Sequence, residues 1–470
     1  MLPTPQAYSI WPSVIPADQT TQMTITANER AYLFLDGAKY QVVVISVNSD
    51  ENYYAPHAYQ EIDVTASCGV LHFPCHFTGE QEHTILLKKD ETIVFTFSVY
   101  SLYEDLYALS PLKGDLHSHS CRSDGSRDPI AAAGHYREQG YDFVALTDHN
   151  RYYPGGEIDE EYKGVNTGLT RVLGEEVHCP GSVIHIVHVG GKTSVADRYV
   201  HDRANYNNEI EEYMTKVPKH VPDLYKERYA KAMWATDAIH TAGGLAIFPH
   251  PFWRPGSSKT YLVCDELTKI LLTSGMFDAY ELLGAMDQPD CNRSVALWAD
   301  LRADGLKIPV VGSSDAHDFQ SNSKFPYLFT ICFANENTND AIMNAVKQGN
   351  CVAVEASGDD RTKQHRCYGS LRLVSYAQFL LANFFPKQQR LCSGCGVAMR
   401  AYAMNECGAE LVEQHAALIQ NFRNRFFGRT AAPLPSEAIL AFEDKWRSVQ
   451  LNGPKRRGSD IDGIPAKSLI

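Results

Sequence analysis

Apolar and polar positions change rhythm twice along this chain. Between residue 20 and about residue 105 the apolar positions fall in short β-branched or aromatic runs: Thr24-Ile25-Thr26, Tyr32-Leu33-Phe34-Leu35, residues 40–45, Val70-Leu71-His72-Phe73, residues 83–87 and residues 92–97. Turn-rich pieces such as Asn48-Ser49-Asp50-Glu51-Asn52 separate them, so the pattern predicts an all-β, sandwich-like domain over residues 1–110. From about Lys113 strands alternate with helices. Asp128 can cap and Pro129 can open a helix running to Gln139, Gly140 can end it, and residues 141–146 then read as a buried strand delivering Thr147-Asp148-His149. The same step recurs at residues 230–241, followed by Leu245-Ala246-Ile247-Phe248 and His250. It recurs again at residues 294–303, followed by Ile308-Pro309-Val310-Val311-Gly312, Asp315 and His317. Repeated βα units with polar residues at strand ends predict an α/β domain over residues 111–358, a barrel-like parallel sheet with its site at the C-terminal edge. A polar stretch over residues 193–227 interrupts it and reads either as a lid or as a plain surface insertion. Amphipathic patterns at 370–384, 409–426 and 436–449 predict a helical C-terminal extension over residues 359–470, disordered from residue 452.

Composition narrows the function classes. The chain has 470 residues and a net charge of -13, which disfavours a protein built to coat nucleic acid. No apolar run is long enough to span a bilayer, and Met1-Leu2-Pro3-Thr4-Pro5 lacks the pattern of a signal segment, so a cytoplasmic protein without membrane or bulk nucleic-acid partners is expected. Its 12 cysteines are scattered, as reduced thiols are. Cys392-Ser393-Gly394-Cys395, with Cys407 and His415, has half of a zinc-knuckle spacing; packing is the expected reading. Lys455-Arg456-Arg457 reads as a solvated tail.

The clustered histidines and acids change the picture most. Alternate side chains of a strand share a face, so His117 and His119 point together and can grip one metal. Ser123-Asp124-Gly125 adds a carboxylate on a tight turn, and Asp315-Ala316-His317 repeats the same-face geometry with oxygen and nitrogen donors. With His149 after a hydrophobic strand and His250 between two prolines, the set is hard to explain by packing alone.

Taken in order, Gly114-Asp115-Leu116-His117-Ser118-His119, Ser123-Asp124-Gly125, Thr147-Asp148-His149, Gly174-Glu175-Glu176-Val177, the strand from His185 to Gly190 and Ser314-Asp315-Ala316-His317 resemble the motif series of the PHP (polymerase and histidinol phosphatase) superfamily over residues 113–318. The His185-to-Gly190 spacing and the preceding β-domain also resemble its CehA/McbA-like branch. The resemblance implies a distorted (βα)7 barrel holding two or three divalent ions, Zn, Mn or Fe. It implies that His117, His119, Glu176 and Asp315 hold a first metal, that Glu176, His185 and His250 hold a second, and that Asp124, His149 and His317 hold a third. Glu175 competes with Glu176, and His188 with His185, which faces the opposite side of its strand. Asp124 stands where some members have histidine, which makes the third site richer in oxygen.

The activity so implied is hydrolysis of a phosphomonoester or phosphodiester, with a small phosphorylated molecule or nucleotide as substrate. A metal-bridged hydroxide would be the nucleophile, and Asp315, His317 and Glu176 would serve the chemistry as well as bind metal. Hydrolysis of a carboxyl ester, amide or carbamate by the same metals is the alternative, and a non-catalytic metal-binding regulatory module a further one. Among basic residues near the ligands, which include Arg151 and Lys259, Arg254 and Arg122 are the candidates to bind substrate. Trp253 and Phe252 can stack on a ring or pack in the core.

Overall fold

The computed structural model describes residues 7–48, 59–256, 258–284, 288–319, 325–358 and 363–452; the turn at 49–52 and the tail that carries Lys455-Arg456-Arg457 lie outside them. The chain divides into two compact units, residues 1–102 with 425–470, and residues 103–424. That differs from three consecutive domains divided after residues 110 and 358, because the C-terminal helices do not form a body of their own.

In the first unit the strands are β1 (Tyr8–Trp11), β2 (Val14–Pro16), β3 (Gln19–Ala27), β4 (Lys39–Ser46), β5 (Tyr59–Thr65), β6 (Leu71–Phe77), β7 (Gln81–Lys89) and β8 (Thr92–Leu102). They form two sheets, ordered β1-β3-β6 and β2-β8-β7-β4-β5. Residues alternate between buried and exposed along β6, so Leu71, Phe73, Cys75 and Phe77 meet Val42, Val44, Ile85, Leu87 and Val99 from the other sheet in one core. The helix Glu437–Asn452 belongs to this unit: Arg447 Nη2 donates to the Leu33 carbonyl at 2.9 Å, and a Cβ on Gly69 would stand 3.0 Å from Leu440.

His83 on β7 is expected to make this unit sensitive to acid. Its ring is 1% exposed and bonds Ser101 Oγ at 2.8 Å and Ser46 Oγ at 3.2 Å. Burial pushes its pKa down to about 4. Unfolded histidine titrates near about 6.5, so between those values the unfolded state binds a proton that the folded state excludes, and stability falls as pH drops through this window. His83→Gln should flatten that part of a plot of thermal midpoint against pH. An unchanged slope would assign the acid sensitivity to another group.

The second unit is built on β9 (Ser110–Asp115), β10 (Phe143–Leu146), β11 (Thr170–His178), β12 (His185–Val189), β13 (Leu245–Phe248), β14 (Ala279–Leu283), β15 (Val310–Gly312), β16 (Leu328–Ala334), β17 (Cys351–Ser357) and β18 (Gln364–Tyr368). They form one sheet in the order β15-β14-β13-β12-β11-β10-β9-β16-β17-β18. The sheet curls until β15 meets β16, where Thr330 Oγ1 donates to the Gly312 carbonyl at 2.7 Å and accepts from its N–H at 3.0 Å. A layer of Leu112, Leu116, Val172, Val187, Val189, Ile247, Ala279 and Val311 fills the curl.

The sheet is mixed, not uniformly parallel. β9, β10 and β11 are parallel, as are β13, β14 and β15, but β12 pairs antiparallel with both β11 and β13. Only residues 179–184 join β11 to β12, too few for the helical crossover that a parallel pair needs. β16, β17 and β18 continue antiparallel from β9.

The helix Pro129–Glu138 starts as its sequence dictates, with Asp128 accepting from the N–H groups of Ile130 and Ala131, and Gly140 at φ 80° turns the chain toward β10. The insertion is integral to the unit: Tyr199, Tyr206 and Ile210 from helices Ala196–His201 and Arg203–Lys216 are buried against Trp234 of helix Lys226–Thr241. A helix unmarked in the sequence pattern, Phe385–Ala403, packs on Pro129–Glu138 so closely that a Cβ on Gly396 would stand 2.4 Å from the Gly134 carbonyl. It buries Cys392 and Cys395 in the core between the helices, which accounts for that Cys spacing by packing.

Candidate metal centre

The ends of these strands and the loops that follow them bring His117, His119, Asp124, His149, Glu176, His185, His250, Asp315 and His317 into one cluster. Glu176 stands at its middle. Its Oε1 lies 2.8 Å from His185 Nδ1 and 3.2 Å from His250 Nε2, and its Oε2 lies 2.8 Å from His149 Nδ1, 3.5 Å from His117 Nε2 and 3.6 Å from His119 Nε2. Asp315 Oδ1 is 2.7 Å from His119 Nε2 and 3.3 Å from His117 Nε2, while His317 Nε2 and His149 Nε2 each approach Asp124 at 3.3 Å.

The pairing register of β11 with β12 separates the competing residues. Glu175 stands opposite His188 and His178 opposite His185, so Glu175 and His188 share one face of the ribbon while Glu176, His178 and His185 share the other. On the far face, His188 Nδ1 is 3.1 Å from Glu175 Oε1, and the Glu175 carboxylate also accepts from Ser194 Oγ at 2.8 Å and from the Val195 N–H at 2.5 Å. These two residues hold the helix Ala196–His201 in place.

Two residues join the site that were not singled out in the sequence. His178 Nε2 lies 3.4 Å from Glu176 Oε2, and its ring stacks on that of His185 at 3.7 Å between centroids. The signal was the Glu176-x-His178 spacing, the same alternation that marks His117 and His119. Glu281, a fully buried acid in the apolar strand Ala279–Leu283, accepts from His117 Nδ1 at 2.8 Å. That bond fixes the tautomer, so His117 Nε2 presents its lone pair to the cluster. His317 is oriented in the same way, its Nδ1 lying 2.9 Å from the Asp315 carbonyl.

Further polar contacts set the loops. Asp115 accepts from the N–H groups of His117 and Ser314 and from Tyr136 Oη, which ties the end of β9 to the loop carrying Asp315. Asp148 accepts from the Ser120 N–H at 2.9 Å and Ser123 Oγ at 2.7 Å, which fixes the turn carrying Asp124. Asn150, His250 and Asp315 adopt φ of 54°, 24° and 47°, the strained left-handed region that concentrates at functional sites.

Electrostatics and burial both suit cations here. Burial favours the neutral form of Glu176, yet His117, with the imidazole of His149 beside it, outweighs it and holds the carboxyl well below the usual range; Asp315 is likewise lowered by His117 and His119 against the effect of burial. Burial pushes His185 down to about 4, which keeps its imidazole neutral and able to ligate. Among the described residues, Glu176 Oε2, His149 Nδ1, His178 Nε2 and His185 Nδ1 are buried and crowded to ion-pair distances without forming well-aligned hydrogen bonds. A divalent cation accepting their lone pairs is the fit that these orphaned atoms ask for. Donor atoms gather in overlapping groups: His119, Asp124, His149 and His317; His117, His119 and Asp315; His117, Glu176 and His250; and His149, Glu176 and His178. The first is the open side of the site, since its Asp124 is 54% exposed and its His317 38%, whereas His117 and Glu176 are buried.

Removing the buried carboxylate behind His117 tests its positioning role. Glu281→Gln should weaken metal binding by about 10- to 100-fold while the ligands remain. Titration against a chelator of known affinity measures this, and an unchanged affinity would make Glu281 a packing residue.

Neither candidate substrate residue makes an ion pair with the cluster among the described residues. Arg122 pairs with Glu157 at 2.6 Å and Arg254 with Asp290 at 3.1 Å. Phe252 is buried in the core, whereas Trp253 stands beside the rings of His250 at 5.8 Å and His185 at 6.1 Å.

No family model and no curated protein matches the chain. Among solved structures, it is similar to a two-domain protein from Bacteroides vulgatus containing a predicted PHP-like metal-dependent phosphoesterase, at 19% identity and a TM-score of 0.36 over 52% of this chain and 65% of that one. It thus spans a little under two thirds of that protein. It is also similar to a candidate metal-dependent phosphoesterase from Bifidobacterium adolescentis (19% identity, TM-score 0.32, 43% of this chain and 87% of that one) and to an amidohydrolase from Chromobacterium violaceum (18%, 0.30, 44% and 87%). At such distances the likeness carries no weight beside the side chains themselves.

Proposed function

We propose that this chain is a metal-dependent hydrolase of the PHP type that cleaves a phosphomonoester or phosphodiester, with a small phosphorylated molecule or nucleotide as substrate. The observation that carries the reading is the convergence of five motif histidines, His117, His119, His149, His185 and His250, on the buried Glu176, with Asp124, Asp315 and His317 set against the same cluster. Two or three divalent ions, when bound, supply Lewis acidity that activates water at neutral pH and offsets negative charge on the substrate. His117, His119, Glu176 and Asp315 would hold a first ion; Glu176, His185 and His250 a second, with His178 beside them; Asp124, His149 and His317 a third. Mixed imidazole and carboxylate donors suit Zn, Mn or Fe. His317, on the open side with Asp124, would serve the leaving oxygen either as a ligand of the third ion or, where that ion is not bound, as the acid that protonates it. Trp253 would form an apolar wall beside the substrate. A distorted barrel of the PHP kind, a sandwich-like accessory domain and a cytoplasmic setting complete the proposal; among the described residues no helix is long and apolar enough to cross a membrane.

A second reading is hydrolysis of a carboxyl ester, amide or carbamate. Its support is that Arg122 and Arg254, the two candidate substrate residues, already face carboxylates, while the apolar Trp253 stands beside His250. A panel of phosphomonoesters, phosphodiesters and carboxyl esters, offered to chelator-stripped protein refilled with Mn or Zn, separates the readings. Metal-dependent phosphate release, lost in Asp315→Ala, is the expected result. Cleavage of carboxyl esters alone would establish the second reading.

A further inference from the structure

On the outer face of the same sheet lies a cavity of about 700 Å³ that owes nothing to the metal cluster. Lys113 of β9, Phe329 of β16 and His365 of β18 form its floor, and Leu381, Phe385 and Arg390 from helices Leu371–Asn383 and Phe385–Ala403 line its other side. Strand alternation sends Lys113 outward, away from the inner layer that contains Leu112 and Leu116.

Lys113 is the telling residue. It is 7% exposed, donates to the Gln139 carbonyl at 3.0 Å, and has its ammonium 4.2 Å from the Tyr141 ring centroid and 4.5 Å from that of Phe329. Among the described residues no carboxylate pairs with it, and a buried charge without a counter-ion is costly. Lys363, His365 and Arg390 line the same space. The one acid in the lining, Glu138, is already engaged by Arg400 at 2.7 Å. Burial, with Lys363 nearby, pushes the Lys113 pKa down to about 7 against the attraction of Asp142 and Asp115.

We infer that this cavity binds a small organic anion, its acidic group on Lys113 and Arg390 and a flat apolar portion against Phe329 and Phe385. The volume lies within the range of small-molecule pockets, and the lining sets Phe329, Leu381, Phe385 and Pro386 among a larger number of polar and charged side chains. Lys113 lies on β9 four residues before His117, which follows the end of that strand, about 13 Å along an extended chain, and its side chain faces away from the inner layer, so the site is separate from the metal centre.

The probe is 1-naphthalenesulfonate, titrated calorimetrically into the full chain beside the neutral 1-naphthalenemethanol and inorganic phosphate. Saturable one-to-one binding of the sulfonate is expected, with the alcohol and phosphate each at least about tenfold weaker. Lys113→Met and, independently, the surface substitution Arg390→Ala should each weaken it by about tenfold or more, whereas Glu176→Gln should leave it intact. Absence of saturable binding, loss of binding in Glu176→Gln, or equal affinity in Arg390→Ala would overturn the inference. Phosphate binding as tight as that of the sulfonate would refute the apolar half of it.

Discussion

Glu176→Gln should reduce turnover by about three orders of magnitude and strip metal from the protein without unfolding it. The substitution keeps the shape of the side chain but removes its charge and leaves one oxygen where there were two. Those two oxygens divide the site, Oε1 facing His185 and His250, and Oε2 facing His149, His178, His117 and His119. No other acid in the cluster faces as many imidazoles, so no neighbour replaces it as a bridge. The adjacent Glu175→Gln provides the contrast. Glu175 holds Ser194, Val195 and His188 on the opposite face, so its loss should cost about 1–3 kcal/mol of stability and leave metal content unchanged. Elemental analysis, turnover and chemical denaturation of the two variants separate the roles. Metal loss in Glu175→Gln with metal retained in Glu176→Gln would reverse them.

This pair of glutamates also marks where sequence reading reached its limit. The motif series picked out side chains that the fold gathers because strand periodicity and turn residues are local: His117-x-His119, Asp315-x-His317 and the capped helix from Pro129 follow from neighbours in the chain. Whether Glu175 or Glu176 faces inward depends on the register of β11 against β12, a tertiary pairing that no short window contains. His178 was legible by the same alternation as His117 and His119 but lay outside the motifs. Glu281 stands 164 residues from its partner His117, and a lone acid in Ala-Tyr-Glu-Leu-Leu reads locally as an interruption of a core strand. The reversed direction of β12 was encoded in the shortness of residues 179–184, whereas the repeated βα rhythm elsewhere suggested a uniform sheet. The helix Phe385–Ala403 was obscured by Gly394 and Gly396, poor helix formers whose use becomes clear only against Gly134 and the ring of His415. Packing across the fold decided each of these points.

Asp142→Ala should destabilise the second unit by about 3–5 kcal/mol, the cost of leaving buried charges unpaired. Asp142 is 3% exposed and gathers groups that are distant in sequence. Its oxygens accept from the Lys113 N–H at 3.1 Å, Gln388 Nε2 at 3.1 Å, Arg423 Nη1 at 3.2 Å and Arg137 Nη1 at 3.4 Å. Arg423 also donates to the Pro111 carbonyl at 2.8 Å, and Phe384 stacks on Phe422 beside it. One carboxylate thus fastens the helix Phe385–Ala403 and the end of helix Ala409–Phe426 to the start of the strands that carry His117 and His149. Removing it leaves Arg137 and Arg423 buried without their anion, so the loss should exceed that of a surface pair several-fold. Arg423→Met removes one charge and keeps the apolar contact with Phe384, and should cost less. In the double variant Asp142→Ala with Arg423→Met the effects should fall short of additive, because the second change relieves part of the first. Denaturant unfolding of the four proteins completes this cycle. Additive losses, or a cost for Asp142→Ala below about 1 kcal/mol, would mean that apolar packing alone holds the helices on the sheet.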